Sequence, residues 1–110
     1  MKEYTLRELC EKCQVTRRAV QWYESHDLVK SCGKTKQCYL LYDENTVEKV
    51  KMIKSLQNYG FTISEIKLHF ESNQNQQRKM LVTKAEELRE KSILLSTYIK
   101  EIEMLLNKEY

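Results

Sequence analysis

The most reactive side chains of this 110-residue chain are four thiols: Cys10, Cys13, Cys32 and Cys38. Cys10-Glu11-Lys12-Cys13 has the two-residue gap of a zinc half-site, and Cys32 and Cys38 supply the further thiols of a four-sulfur set. Five residues separate that second pair, wider than a usual zinc knuckle. Cys10 and Cys13 also fall in step with Leu6 and Leu9, which makes at least one of them a small core residue on a helix. We therefore expect no metal and no cofactor. No signal peptide opens the chain, so no disulfide framework is expected. His26 and His69 stand far apart, and each is expected at the surface or its boundary. No nucleophile–base pair and no Gly-rich phosphate loop is present, so the chain does not read as an enzyme.

The remaining chemistry is cationic. The formal net charge is +3, from 19 Lys and Arg against 16 Asp and Glu. Residues 1–42 hold eight basic and five acidic residues, an excess of +3, whereas residues 43–71 hold four and five and residues 72–110 seven and six. Such a local excess attracts a polyanion more than a diluted one does. Two stretches carry it. Thr16-Arg17-Arg18 begins one. The other, residues 30–38, contains Lys30, Lys34 and Lys36 and no acidic residue. Phosphate suits such side chains, and Arg and Gln suit base edges in a DNA groove.

The elements that must position these residues follow from composition and periodicity. Hydrophobic residues make up 41% and charged residues 32%, with two glycines and no proline, which favours one mainly helical domain over a many-turned β fold. No apolar run approaches the roughly 18 residues of a membrane span, so a cytoplasmic, nucleoid-associated protein with no membrane partner is expected. Thr5-Leu6-Arg7-Glu8 reads as a capping box opening a short helix. After a break near Gln14-Val15, Thr16 caps a second helix with Val20 and Tyr23 on one face and Arg17, Arg18, Gln21 and Trp22 on others. Two short helices so closely joined suggest a helix-turn-helix. Leu28-Val29 and residues 39–42 are β-prone. The basic stretch between them would form the tip of a hairpin wing, where Lys34 and Lys36 reach phosphates. Asp43 caps a third helix with Val47, Val50, Ile53, Leu56 and Tyr59 spaced three apart, and Gly60 ends it in a left-handed cap. Thr62-Ile63-Ser64-Glu65 is a second capping box, opening a helix with Ile63, Ile66 and Phe70 inward. Residues 72–77 are a polar join, so we divide the chain into 1–72 and 73–110.

The last segment is the most regular. Leu81, Ala85, Leu88, Ser92, Leu95, Ile99, Ile102 and Leu106 step by four and three in alternation, a heptad stripe sustained for nearly four heptads. A helix over residues 76–108 would be ~50 Å long. The preceding residues form a globule with a radius of gyration near ~11 Å, too small to cover the stripe. The simplest partner is the same helix in a second chain, giving a homodimer through residues 76–108.

The order of elements, helix-turn-helix, basic wing, helix pair and long coiled-coil helix, resembles that of the MerR family of bacterial transcription regulators. The segment Tyr4-Thr5-Leu6-Arg7-Glu8-Leu9 resembles the family's YTIGELA, and residues 15–24, VTRRAVQWYE, resemble its VSVRTLRYYE. Leu28-Val29-Lys30 followed by Tyr39-Leu40-Leu41-Tyr42 resembles the wing, which ends GYRLY, and residues 56–66, LQNYGFTISEI, resemble LRELGFSLEEI. The resemblance implies a winged helix-turn-helix followed by an antiparallel coiled-coil dimerisation helix. It implies a homodimer that binds double-stranded DNA at a two-fold operator and distorts promoter DNA, with RNA polymerase as a further partner. The residues expected to contact DNA or to support the contact are Thr16, Arg17, Arg18, Gln21, Trp22, Tyr23, Lys34, Lys36 and Tyr39. The expected dimer seam is Leu81, Ala85, Leu88, Leu95, Ile99, Ile102 and Leu106.

The departures keep a second reading open. Gln21 and Leu40 stand where the family has arginine, Ala19 where it has threonine, Cys38 where it has the wing glycine, and Asp27 where a glycine ends the recognition helix. Fewer cations favour an architectural or accessory DNA-binding protein of the recombination type, or a coiled-coil interaction protein with weak DNA affinity. Metal-sensing members carry cysteines on the long helix, whereas this chain has none after Cys38. It is expected to be either a minimal regulator without a ligand domain or a piece of something longer. Cys32 and Cys38 on an exposed wing suggest a redox role.

Overall fold

The computed structural model describes residues 2–109. It comprises two compact units, Met1–Glu71 and Ser72–Tyr110. In the first, a short strand β1 (Glu3–Thr5) leads into helices α1 (Leu6–Cys13) and α2 (Arg17–Ser25). Strands β2 (Gly33–Lys34) and β3 (Leu40–Asp43) follow, then helices α3 (Glu44–Asn58) and α4 (Ile63–Glu71). The second unit is a single helix, α5 (Gln74–Glu109). Among the described residues, no helix is long and apolar enough to cross a membrane.

Side-chain caps set the helix starts, as the sequence leads one to expect. Glu8 N donates to Thr5 Oγ1 at 3.3 Å while Thr5 N donates to Glu8 Oε1 at 2.9 Å. That reciprocal pair satisfies two amides that have no partner within the helix. Thr62 and Glu65 repeat the arrangement at α4, and Asp43 accepts from Thr46 N at 2.9 Å to open α3. A further box at α5, Asn73 with Gln76, was not read from the sequence.

The sheet has order β1-β3-β2, all antiparallel, with Tyr4 opposite Tyr42 and Gly33 opposite Leu41. This corrects the expectation that Leu28-Val29 forms the first wing strand. Both residues are buried, but outside any strand. Leu28 N donates instead to Tyr23 O at 3.0 Å, and Asp27 N to Glu24 O at 3.1 Å, with Asp27 at φ 60°. These are the paired bonds of a Schellman cap, and they use the Leu28 amide that a ladder would need. The end of α3 is built alike: Phe61 N donates to Leu56 O, Gly60 N to Gln57 O, and Gly60 has φ 99°. Asp27 thus does for α2 what Gly60 does for α3, and a buried apolar residue, Leu28 or Phe61, follows each.

The core joins Leu9 and Cys13 of α1, Val20 and Tyr23 of α2, Tyr42 of β3, and Val47, Val50, Ile53 and Leu56 of α3. Tyr59 is exposed, although it continues the spacing of three along α3. A strict step of three falls behind the 3.6-residue turn, so by Tyr59 the face has rotated into solvent. His69, expected at the surface or boundary, is buried. It lies one turn from Ile66 on the same inward face of α4.

Among the described residues, three non-glycine residues have positive φ: Gln14, Asp27 and Cys38, at 55°, 60° and 66°. An L-residue there costs roughly 1–2 kcal/mol, least for Asp or Asn. Replacing Cys38 with Gly is expected to stabilise the fold by about 0.5–1 kcal/mol, after the extra freedom of Gly in the unfolded chain is discounted. Gly60→Ala is expected to destabilise it by about 1 kcal/mol. Urea unfolding followed by circular dichroism measures both.

Candidate nucleic-acid interface

The turn between α1 and α2 sets the direction of the second helix. Gln14 reverses the chain in the left-handed conformation, with Val15 N donating to Cys10 O at 3.1 Å. Lys54 of α3 donates to the carbonyl of Gln14 at 2.7 Å, placing a cation on the carbonyl end of α1. Thr16 Oγ1 then accepts from Ala19 N at 3.0 Å and opens α2.

Val20 and Tyr23 are buried on the inward face of α2. Arg17, Arg18, Gln21 and Trp22 are exposed, as is Thr16 at the cap. Trp22 is 41% exposed, and its ring meets His26 edge-on at a centroid distance of 5.3 Å. Tyr23, expected to contact DNA or to support the contact, lies on the inward face. Only 2% of it is exposed, and its hydroxyl donates to Gln57 Oε1 of α3 at 2.8 Å. Its spacing of three from Val20 turns it inward, so it supports the exposed face rather than forming part of it.

Two further tyrosines brace the wing. The Tyr42 hydroxyl donates to Glu24 Oε1 at 2.9 Å, tying β3 to α2. Burial, and then the bond to Glu24, raise its pKa above the usual tyrosine value. The Tyr4 hydroxyl donates to Glu44 Oε2 at 2.6 Å, tying β1 to α3. That bond, with burial adding to it, pushes the Tyr4 pKa up to about 12.

The wing tip is the three-residue loop 36–38. Thr35 N donates to Tyr39 O at 2.8 Å, Cys38 N to Thr35 O at 2.9 Å and Tyr39 N to Thr35 Oγ1 at 3.1 Å. The left-handed Cys38 fills the place that glycine usually takes in such a loop. Lys34, Lys36 and Tyr39 are exposed around it. A groove of about 510 Å³ runs from the start of α1 to this wing, lined by Thr5, Leu6, Arg7, Arg17, Cys38, Tyr39 and Leu40. Arg7 was not among the residues read from the sequence as contacting DNA. It enters because β1 and β3 pair, bringing the start of α1 beside residues more than 30 positions along the chain.

The thiols are free and dispersed. Cys13 is buried and donates to Val47 O at 3.5 Å, Cys10 is half-buried, and Cys32 and Cys38 are exposed. Partial desolvation against the protein surface, and then the hydrogen bond to Glu3, raise the Cys32 pKa, which lowers its thiolate fraction and reactivity. Among the described residues, no group of three or more His, Cys, Asp or Glu is placed to hold a metal ion.

On the second unit, Leu81, Leu88, Leu95, Ile99, Ile102 and Leu106 are exposed, with Ile99 at 55%, and Ala85 is half-buried.

A family model described as MerR HTH family regulatory protein matches residues 4–73. The mercuric resistance operon regulatory protein of Bacillus cereus is 33% identical over 64 residues, covering 58% of this chain and 48% of that protein. The chain thus spans about half that relative's length. Among solved structures, MtaN, the N-terminus of the Bacillus subtilis multidrug transporter activator, aligns at TM-score 0.78 and 23% identity. The alignment covers 94% of this chain and 97% of that one. HiNmlR, a MerR family regulator lacking the sensor domain and bound to promoter DNA, aligns at TM-score 0.72 and 13% identity, covering 90% and 80%. At these identities the two structures bear on the fold.

Since a tyrosine normally ionises near ~10, the raised pKa values of Tyr4 and Tyr42 fix the direction of an alkaline effect. Stability should be fully present below that value. It should fall as pH rises through the higher folded values, about 12 for Tyr4, because ionisation then favours the unfolded chain. Tyr4→Phe is expected to flatten part of that loss in urea unfolding at successive pH values.

Proposed function

The chain belongs to the MerR helix-turn-helix family of regulatory proteins, and from that premise we propose that it is a sequence-specific DNA-binding transcriptional regulator. The observation that carries the reading is the exposed face of α2. Arg17, Arg18, Gln21 and Trp22 share it, and Lys34, Lys36 and Tyr39 are exposed on the wing of the same unit. In this reading α2 enters the major groove, where Arg18 and Gln21 meet base edges. Arg17 and the wing lysines meet phosphates, which position the protein without reading sequence. Thr16 caps the helix and aims its first amides at the DNA backbone.

The exposed stripe of α5 supports a homodimer through residues 76–108. Each large aliphatic side chain buried there would contribute roughly 1.5–3 kcal/mol. An antiparallel pairing presents two copies of α2 to a two-fold operator. The promoter-bound relative supports action at promoter DNA, with distortion of that DNA and contact with RNA polymerase as the finer parts of the proposal. The function is regulatory rather than enzymatic, and its place is the cytoplasm, at the nucleoid.

Selection from a pool of random duplexes should enrich a two-fold sequence. Arg18→Ala should weaken binding to it by roughly 5- to 150-fold, the loss expected of a base contact. Equal affinity for all duplexes would favour the architectural reading that the missing arginines at Gln21 and Leu40 leave open. Sedimentation equilibrium should give a dimer, and Leu95→Asp with Ile99→Asp should give a monomer of unchanged N-terminal fold.

A further inference from the structure

We propose that Arg7 contacts a phosphate of the DNA backbone in the groove between α1 and the wing. The inference rests on the reading of α2 and the wing as DNA-contacting elements. It adds to them a residue from a third element, α1. The groove holds about 510 Å³, and its lining residues include two arginines, Arg7 and Arg17, and no acidic residue. Its other lining includes the apolar Leu6 and Leu40 and the wing residues Cys38 and Tyr39. A groove so lined favours an anion. Of its lining residues, Arg17 belongs to α2 and Cys38 and Tyr39 to the wing, the elements that would lie against the DNA.

The charges around Arg7 leave it available. Glu8, its neighbour on α1, accepts from the Thr5 amide in the helix cap, and that bond lowers the Glu8 pKa. Glu11 meets the Arg7 Nε at 3.3 Å, but the two side chains are 68% and 80% exposed. An ion pair in that setting is weak and screened by salt, so a phosphate can replace it. The planar guanidinium also offers parallel donors that match two phosphate oxygens.

The test is the salt dependence of binding by the purified 110-residue chain, read by fluorescence anisotropy on a duplex recovered by selection from random DNA. Each phosphate contact contributes about 0.9 to the slope of log affinity against log salt. Arg7→Gln is expected to make the slope shallower by about one per subunit and to weaken binding several-fold at low salt. Arg7→Lys should keep the slope. Leu40→Arg, which puts a guanidinium into the same groove, should restore it in the Arg7→Gln chain. If Arg7→Gln changes neither slope nor affinity while Arg18→Ala weakens binding, the inference is overturned and the DNA-binding reading stands. A shallower slope that Leu40→Arg does not restore overturns the groove as the place of contact. A parent chain that binds no duplex overturns both.

Discussion

The first unit depends on the central position of β3. Its four residues pair with β1 on one side and β2 on the other, and its last residue, Asp43, caps α3. Tyr42 carries the constraint furthest. It is fully buried, lies opposite Tyr4 in the ladder, and bonds through its hydroxyl to Glu24 of α2. A ring that fills a core and a hydroxyl that must find a partner leave little choice of orientation for the elements around it. The strand that bears the wing and the helix that presents Arg17 and Arg18 are therefore fixed to each other through one side chain.

The same economy recurs with Tyr23 and Gln57, and with Tyr4 and Glu44. Each bond joins elements far apart in sequence, and each keeps a buried or half-buried hydroxyl satisfied. The exposed face of α2 is thus the remainder of a helix whose other face is committed to the core. A helix of nine residues has little stability by itself. Its cap at Thr16, its inward pair Val20 and Tyr23, and its closure at Asp27 and Leu28 hold it in place.

Local chemistry was legible in the sequence where it acts over three or four residues. The caps at Thr5, Thr16, Asp43 and Thr62, the left-handed Gly60 and the apolar stripe of α5 all fall in that class. What was not legible depends on pairing at a distance. A three-residue β1 has too few positions to show a period, and its existence rests on β3 almost 40 residues later. Leu28-Val29 has the composition of a strand, but closure of α2 uses the Leu28 amide. Tyr23 shows the two signals in conflict: its spacing from Val20 turns it inward, whereas its motif position associated it with DNA. The groove containing Arg7 exists only once the sheet has formed, so no window of sequence reveals it.

The apolar stripe of α5 bears on how much protein a cell must make. A lone chain holds Leu95, Ile99, Ile102 and Leu106 in water, a surface that invites unspecific association and proteolysis. Under the proposed pairing, helix burial and dimer formation are one concentration-dependent equilibrium. At low abundance the competent species then grows with the square of the chain concentration. Occupancy of a target would rise sharply with expression, giving a threshold in gene dosage without a bound effector.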